Sequence, residues 1–283
     1  MHNDMLKAPD AEIYYETRGT GPLLLIIPGG PQDAGVFAGL AVRLADRYTV
    51  ASYDPRGNSR TTVEGGLVDL DMNVQADDAA ALIDRLGDGQ AYVFGTSGGA
   101  QIGLSLAAKH PEKVRALIAH EPPTIMLLDD PSEALAADED IYQTYKSDGV
   151  DAAMGKFFGM AELDPGMPEG EVPAGEGGPD FGDMPPEAAE TFARVSGNFE
   201  YWLAHGMKPL GHYIPDVATL KKGKPRITVA IGEGSAGMPI DEMGKALARK
   251  LGIAATSFPG DHMGFETHEE EFAKAIDQAL KTK

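Results

Sequence analysis

The chain has 283 residues, 42% of them apolar and 24% charged, with a formal net charge of -20 and no cysteine. That length can bury a sizeable core as one large domain or as a domain with an insertion. The acidic surface repels DNA, RNA and anionic lipid, and the missing cysteine excludes disulfides, thiolate metal sites and cysteine nucleophiles.

In chain order, residues 1–15 show neither the basic nor the apolar region of a secretory signal, and His2 is expected in a mobile terminus. No apolar run approaches the ~18 residues that cross a bilayer. The expectation is a cytoplasmic protein with no membrane or nucleic-acid partner, as monomer or homodimer. The run Leu23–Ile27 reads as a buried strand entering the tight loop Pro28-Gly29-Gly30-Pro31. A helix near 36–44, a strand over 48–53 and the turn Asp54-Pro-Arg-Gly57 follow. A helix near 74–86 leads to the strand 91–94, the segment Gly95-Thr96-Ser97-Gly98-Gly99 and a helix through Lys109. The next strand, 114–119, stops at His120-Glu121-Pro122-Pro123.

From about Thr124 to His212 the alternation fails. Helical stretches there flank an acidic segment at 164–186, rich in Gly and Pro, which reads as a long surface loop. The rhythm resumes with a strand over 226–231, a helix near 240–251, a strand over 254–258 and a terminal helix over 269–281. Short apolar runs alternating with amphipathic helices predict an α/β protein, with a mostly parallel sheet and helices on both faces. The expected division is a core of 1–123 and 213–283, with a helical cap at 124–212.

Gly95-Thr96-Ser97-Gly98-Gly99 matches G-x-S-x-G between a strand and a helix. That context forces the serine into a sharp, strained turn with its hydroxyl exposed above the sheet, and the glycines admit the neighbouring strand and helix. The alternative is chance in a glycine-rich chain. Together with Pro28–Pro31, Asp54-Pro-Arg-Gly-Asn-Ser59 and Phe258-Pro-Gly-Asp-His262, the segment resembles the α/β-hydrolase superfamily across nearly the whole chain. Pro28 departs from the histidine that is frequent there.

The resemblance implies Ser97 as nucleophile and His262 as general base. It also implies the amides of Gly30 and Gly98 as oxyanion donors, although a plain tight turn also accounts for Gly30. Of the other histidines, His110 suits a helix end, His268 a solvated helix start and His120 a structural position, while His205 and His212 are candidates for the cavity wall. Family members usually carry an aspartate after the strand that here spans 226–231, but this chain reads Gly232-Glu233-Gly234-Ser235. Glu121, 24 residues beyond Ser97, resembles a minority arrangement in which the acid ends the strand after the nucleophile. Glu233 and Asp241 are the alternative acids, and a dyad without acid is the remaining option.

No H-E-x-x-H, clustered metal-ligand spacing, P-loop lysine or G-x-G-x-x-G is present, so no metal or cofactor is expected. Ser97 stands where dehalogenases and epoxide hydrolases need aspartate. The expected activity is hydrolysis of carboxylic esters or lactones of small to medium apolar molecules through an acyl-enzyme. Met154, Phe157, Phe158, Met160, Phe199, Tyr201 and Trp202 are expected in an apolar lid or in simple helix packing. A cofactor-free dioxygenase, a perhydrolase and a ligand-binding receptor with a vestigial triad are the rival readings.

Overall fold

The computed structural model describes residues 1–160 and 185–281. Among them, nine strands form one sheet: β1 (His2–Ala8), β2 (Ala11–Arg18), β3 (Leu23–Ile27), β4 (Thr49–Tyr53), β5 (Thr62–Val63), β6 (Ala91–Thr96), β7 (Val114–His120), β8 (Arg226–Gly232) and β9 (Thr256–Phe258). Their spatial order is β1-β2-β4-β3-β6-β7-β8-β9, with β5 alongside β2. Pairing from β4 through β9 is parallel, whereas β1, β2 and β5 join antiparallel.

Strand β3 shows why these runs become central strands. All five residues of Leu23–Ile27 are buried. Leu23, Leu25 and Ile27 enter one core, and Leu24 and Ile26 enter the other. A strand turns successive side chains to opposite faces, so a strand covered by helices on both faces needs an unbroken apolar run. Helices α2 (Met72–Leu86) and α3 (Gly98–Lys109) contribute to the first core, and α1 (Ala38–Leu44) with the terminal helix Glu269–Lys281 to the second.

The N-terminus corrects one expectation. His2 lies in β1, opposite Thr17, rather than in a mobile end. Five of the seven β1 residues are exposed, so this edge strand lacks the alternating pattern that marks a half-buried one. At the other edge, the expected strand over 254–258 shortens to Thr256–Phe258, because Ala254 and Ala255 are exposed and unpaired with β8.

Between β7 and β8 the chain leaves the sheet for α4 (Ser132–Asp148), α5 (Val150–Met160) and α6 (Pro186–Gly197), then a π-helical turn over Trp202–Gly206. Of the acidic segment 164–186, all but Pro185 and Pro186 lies outside the described residues. The helical insertion joins the first core through buried Leu203, Met207 and Leu210 and also makes polar contacts. Arg194 Nε donates to the fully buried Asp33 at 2.6 Å. Asn198 Nδ2 donates to the Pro31 carbonyl at 2.7 Å, and its Oδ1 accepts from Ser59 N at 2.7 Å.

Candidate active site

β3 is followed in sequence by β4 on one side and in space by β6 on the other, so the chain direction across the sheet reverses there. Such a switch point opens a crevice at the carboxyl ends of the strands. Pro28–Pro31 leaves β3 at this crevice and Ser97 leaves β6.

Ser97 has φ +53° and ψ -127°, a conformation that L residues rarely adopt. Its amide is held by the His120 carbonyl at 2.9 Å, which ties the turn to β7. The flanking glycines make the turn sterically possible. A Cβ on Gly95 would collide with the Gly99 backbone, and one on Gly99 with the carbonyls of Ile27 and Pro28. Gly30 has φ +46°, and a Cβ on Gly98 would lie 3.3 Å from the Gly30 amide nitrogen. The β3 loop and the start of α3 are therefore in contact where two N–H groups can face one developing charge. The carbonyls of this loop are held too, because Asn58 Nδ2 donates to Gly30 O at 3.0 Å and to Gln32 O at 2.8 Å.

Glu121 directly follows β7 and, like Ser97, has positive φ, +45°. It is completely buried. Its Oε1 accepts from the Gly232 amide at 2.8 Å, and its Oε2 accepts from His262 Nδ1 at 2.6 Å. Burial opposes its ionisation, but the His262 bond and the two nearby imidazoles outweigh burial and bring the pKa down to about 2. An ionised carboxylate only accepts, so Nδ1 carries the proton and Nε2 of His262 is left with its lone pair.

The alternative acids are engaged elsewhere. Glu233 Oε1 accepts from Ser257 Oγ at 3.1 Å, and Asp241 Oδ2 accepts from Gly237 N and Lys245 Nζ. Ser235, at the usual aspartate position, is fully buried.

His120 is also fully buried. Its Nδ1 shares a 2.9 Å hydrogen bond with Thr96 Oγ1, and its ring stacks on His262 with centroids 6.2 Å apart. Burial drives its pKa down to about 3, with Glu121 opposing that shift and His262 adding to it. The remaining histidines sit apart. His205 bonds Asp69, His212 the Lys208 carbonyl, His110 Asp77 and His268 Thr267. Neither His205 nor His212 lines the cleft beside Gly30 and Gly98, contrary to the cavity-wall expectation. His205 is drawn to Asp69 at the edge of the insertion, and His212 is exposed.

That cleft is walled by Pro28, Leu70, Ile102, Leu210, Tyr201 and Trp202, among others. Of the aromatics expected in a lid, Tyr201 and Trp202 line it. Phe157 packs edge-on against Trp202 at 4.5 Å and Phe158 against Phe199 at 6.0 Å, while Met160 is exposed. Asn58, Arg194 and Asn198 carried no separate signal in the sequence, because a polar residue that latches a loop looks like any polar turn residue. Among the described residues, no cluster of His, Asp and Glu is arranged to hold a metal ion, and no helix is long and apolar enough to cross a membrane.

Residues 22–161 match the family model described as the alpha/beta hydrolase fold. The chain is 30% identical over 287 residues to an uncharacterized hydrolase of Bacillus subtilis, YraK, covering 99% of this chain and 97% of that one. It therefore belongs to the α/β-hydrolase family. Solved structures with the same fold include a thermophilic esterase from Thermogutta terrifontis, with TM-score 0.71, 21% identity, and 99% and 98% of the two chains covered. Another is the enol-lactonase from Burkholderia xenovorans LB400, with TM-score 0.71, 16% identity, and 99% and 100% covered.

Proposed function

We propose that this chain hydrolyses carboxylic esters or lactones of small to medium apolar molecules through an acyl-enzyme on Ser97. The observation that carries the reading is the 2.6 Å bond from His262 Nδ1 to the buried Glu121 carboxylate, at strand ends adjoining the Ser97 turn. His262 Nε2 takes the Ser97 proton, the alkoxide attacks the acyl carbon, and the amides of Gly30 and Gly98 hold the oxyanion. The tetrahedral intermediate collapses, and His262 returns the proton to the leaving alcohol. Water activated by His262 then cleaves the acyl-serine ester and regenerates the free serine. Glu121 stays ionised and stabilises the imidazolium formed on the way. The scheme uses only this chain, water and a small-molecule substrate. The family membership and the esterase and lactonase that share the fold support the reaction class.

A fluorophosphonate probe tests the scheme. One label should map to Ser97, and Ser97→Ala should lose both the label and turnover of p-nitrophenyl esters. Labelling elsewhere, or an alanine variant with unchanged activity, refutes the scheme.

A further inference from the structure

Trp202 opens the π-helical turn, in which the Met207 amide reaches back to the Trp202 carbonyl. Single π-turns widen a helix at one point and recur where a side chain is aimed at a site. The indole is 94% buried, from its 6% exposure. It is wedged between the edge of Phe157 and two glycines. A Cβ on Gly206 would lie 3.0 Å from Trp202 Cδ1, and one on Gly30 would lie 3.4 Å from Nε1. Yet Nε1, a donor only, has no hydrogen-bond partner among the described residues. An indole this size could bury its body and turn its N–H to a carbonyl, and a buried orphan donor costs free energy. This one is held against the β3 loop at the cleft that Gly30 and Gly98 also line.

Among the described residues, each of the other polar side chains that line that cleft has a partner. Arg56 is paired with Asp78 and also bonds the Pro9 carbonyl, Asn58 holds the two loop carbonyls, and Tyr201 Oη donates to Val68 O. Among the described residues, the cleft thus has apolar walls and, in Trp202 Nε1, a buried side-chain donor without a partner beside Gly30.

We propose that Trp202 Nε1–H is the specificity determinant of this site. It donates to a second, uncharged acceptor oxygen of the substrate, a keto or alkoxy oxygen one or two carbons from the scissile carbonyl. The proposal rests on the ester or lactone reading and narrows it to oxygen-substituted acyl groups with an apolar body. A site that donates to a substrate oxygen discriminates against the analogue lacking it, because the donor is then left unpaired.

Trp202 is the only tryptophan of the chain, so it can be replaced by its benzothienyl isostere, which keeps the ring volume and removes the N–H, and Trp202→Phe gives a second donorless variant. The probes are ethyl 3-oxooctanoate and ethyl octanoate. The ratio of their kcat/KM values in the wild type should fall about ten-fold in both variants, the size of one neutral hydrogen bond, whatever loss the two esters share. Equal losses for both esters would overturn the proposal and make the indole packing or a third oxyanion donor. An unchanged ratio would overturn it too. Tryptophan emission supplies a readout independent of turnover. In Ser97→Ala, ethyl 3-oxooctanoate should shift the emission to the red, whereas ethyl octanoate should not. If the wild type hydrolyses neither ester, the hydrolase reading fails, and the emission titration still decides whether the indole binds a keto oxygen. The same response to both esters, or none, refutes it.

Discussion

Ten of the twelve residues of α3, which follows Ser97, are buried, whereas α6 in the helical insertion buries none. The strand ends are fixed by backbone in contact with backbone. Ser97 N is tied to β7, Glu121 N to β8, and Gly99 fits against the β3 carbonyls with no room for a methyl group. The insertion is held to the loop after β3 by long polar side chains, Arg194 and Asn198. The covalent catalysis proposed for Ser97 needs donors and nucleophile in one geometry, which a dense region can hold. The cover proposed for the insertion needs less, and elements with few buried contacts open at low free-energy cost.

The sharpest way to test the dense region is its acid. Glu121→Gln keeps the shape of the side chain but removes the charge that stabilises imidazolium. It should lower kcat about ten-thousand-fold in an ester assay with the fold retained by circular dichroism. Glu233→Gln and Asp241→Asn should keep most of the activity, since both bond elsewhere. Equal and mild losses in all three would mean that Ser97 and His262 act without an acid.

Gly99→Ala attacks the same region through packing. The obstructing atoms are backbone carbonyls that cannot swing aside, so the loss should reach about 3 kcal/mol or more, the upper range for overpacking. Urea unfolding would measure it, and a loss below about 1 kcal/mol would show that the turn is more yielding than its contacts imply.

Protonation of His120 gives a pH signature. Its ordinary pKa is near 6.5, and burial lowers it to about 3 in the folded protein, so below pH 6.5 only the unfolded chain binds that proton. Stability should therefore fall as pH drops through this window, by about 1.4 kcal/mol per unit from this residue. Glu121 has the opposite charge and a lower window. Its stabilisation is complete above about pH 4.5, the ordinary value, and is lost as pH falls towards 2. Between pH 6.5 and 4.5, His120→Gln should thus flatten the slope relative to the wild type, and parallel curves would refute a neutral buried imidazole.

The smallest effect completes the contrast. Gly155 lies inside α5, exposed, with nothing within 4 Å of where a Cβ would go. Gly155→Ala should stabilise the protein by about 0.5–1 kcal/mol through helix propensity alone, read as a small rise in Tm. The same substitution would then have opposite signs at Gly99 and at Gly155.

Much of this was legible in the residues. Leu23–Ile27, Tyr48–Tyr53, Ala91–Phe94, Val114–Ala119 and Arg226–Ile231 announce central strands, because burial on both faces demands continuous apolar runs. G-x-S-x-G announces its turn, since no other residue types fit that approach of strand and helix. The missing aspartate at Ser235 and the glutamate directly after β7 pointed to Glu121, and the structure does join it to His262. Edge strand β1 was not legible, because an exposed strand carries no alternating burial code and is recruited by the backbone of β2.

The latches Asn58, Arg194 and Asn198 were equally silent. Their partners are carbonyls, an amide and a carboxylate distant in sequence, and hydrogen bonds of that kind leave no periodicity. By itself the sequence determined the central strands and the strained serine turn, since steric fit and burial pattern are local properties of the chain. Only the tertiary structure decided that Glu121 rather than Glu233 or Asp241 meets His262, and that the Trp202 N–H lies beside Gly30 without a partner among the described residues. Which donor meets which acceptor depends on how segments more than a hundred residues apart are packed together.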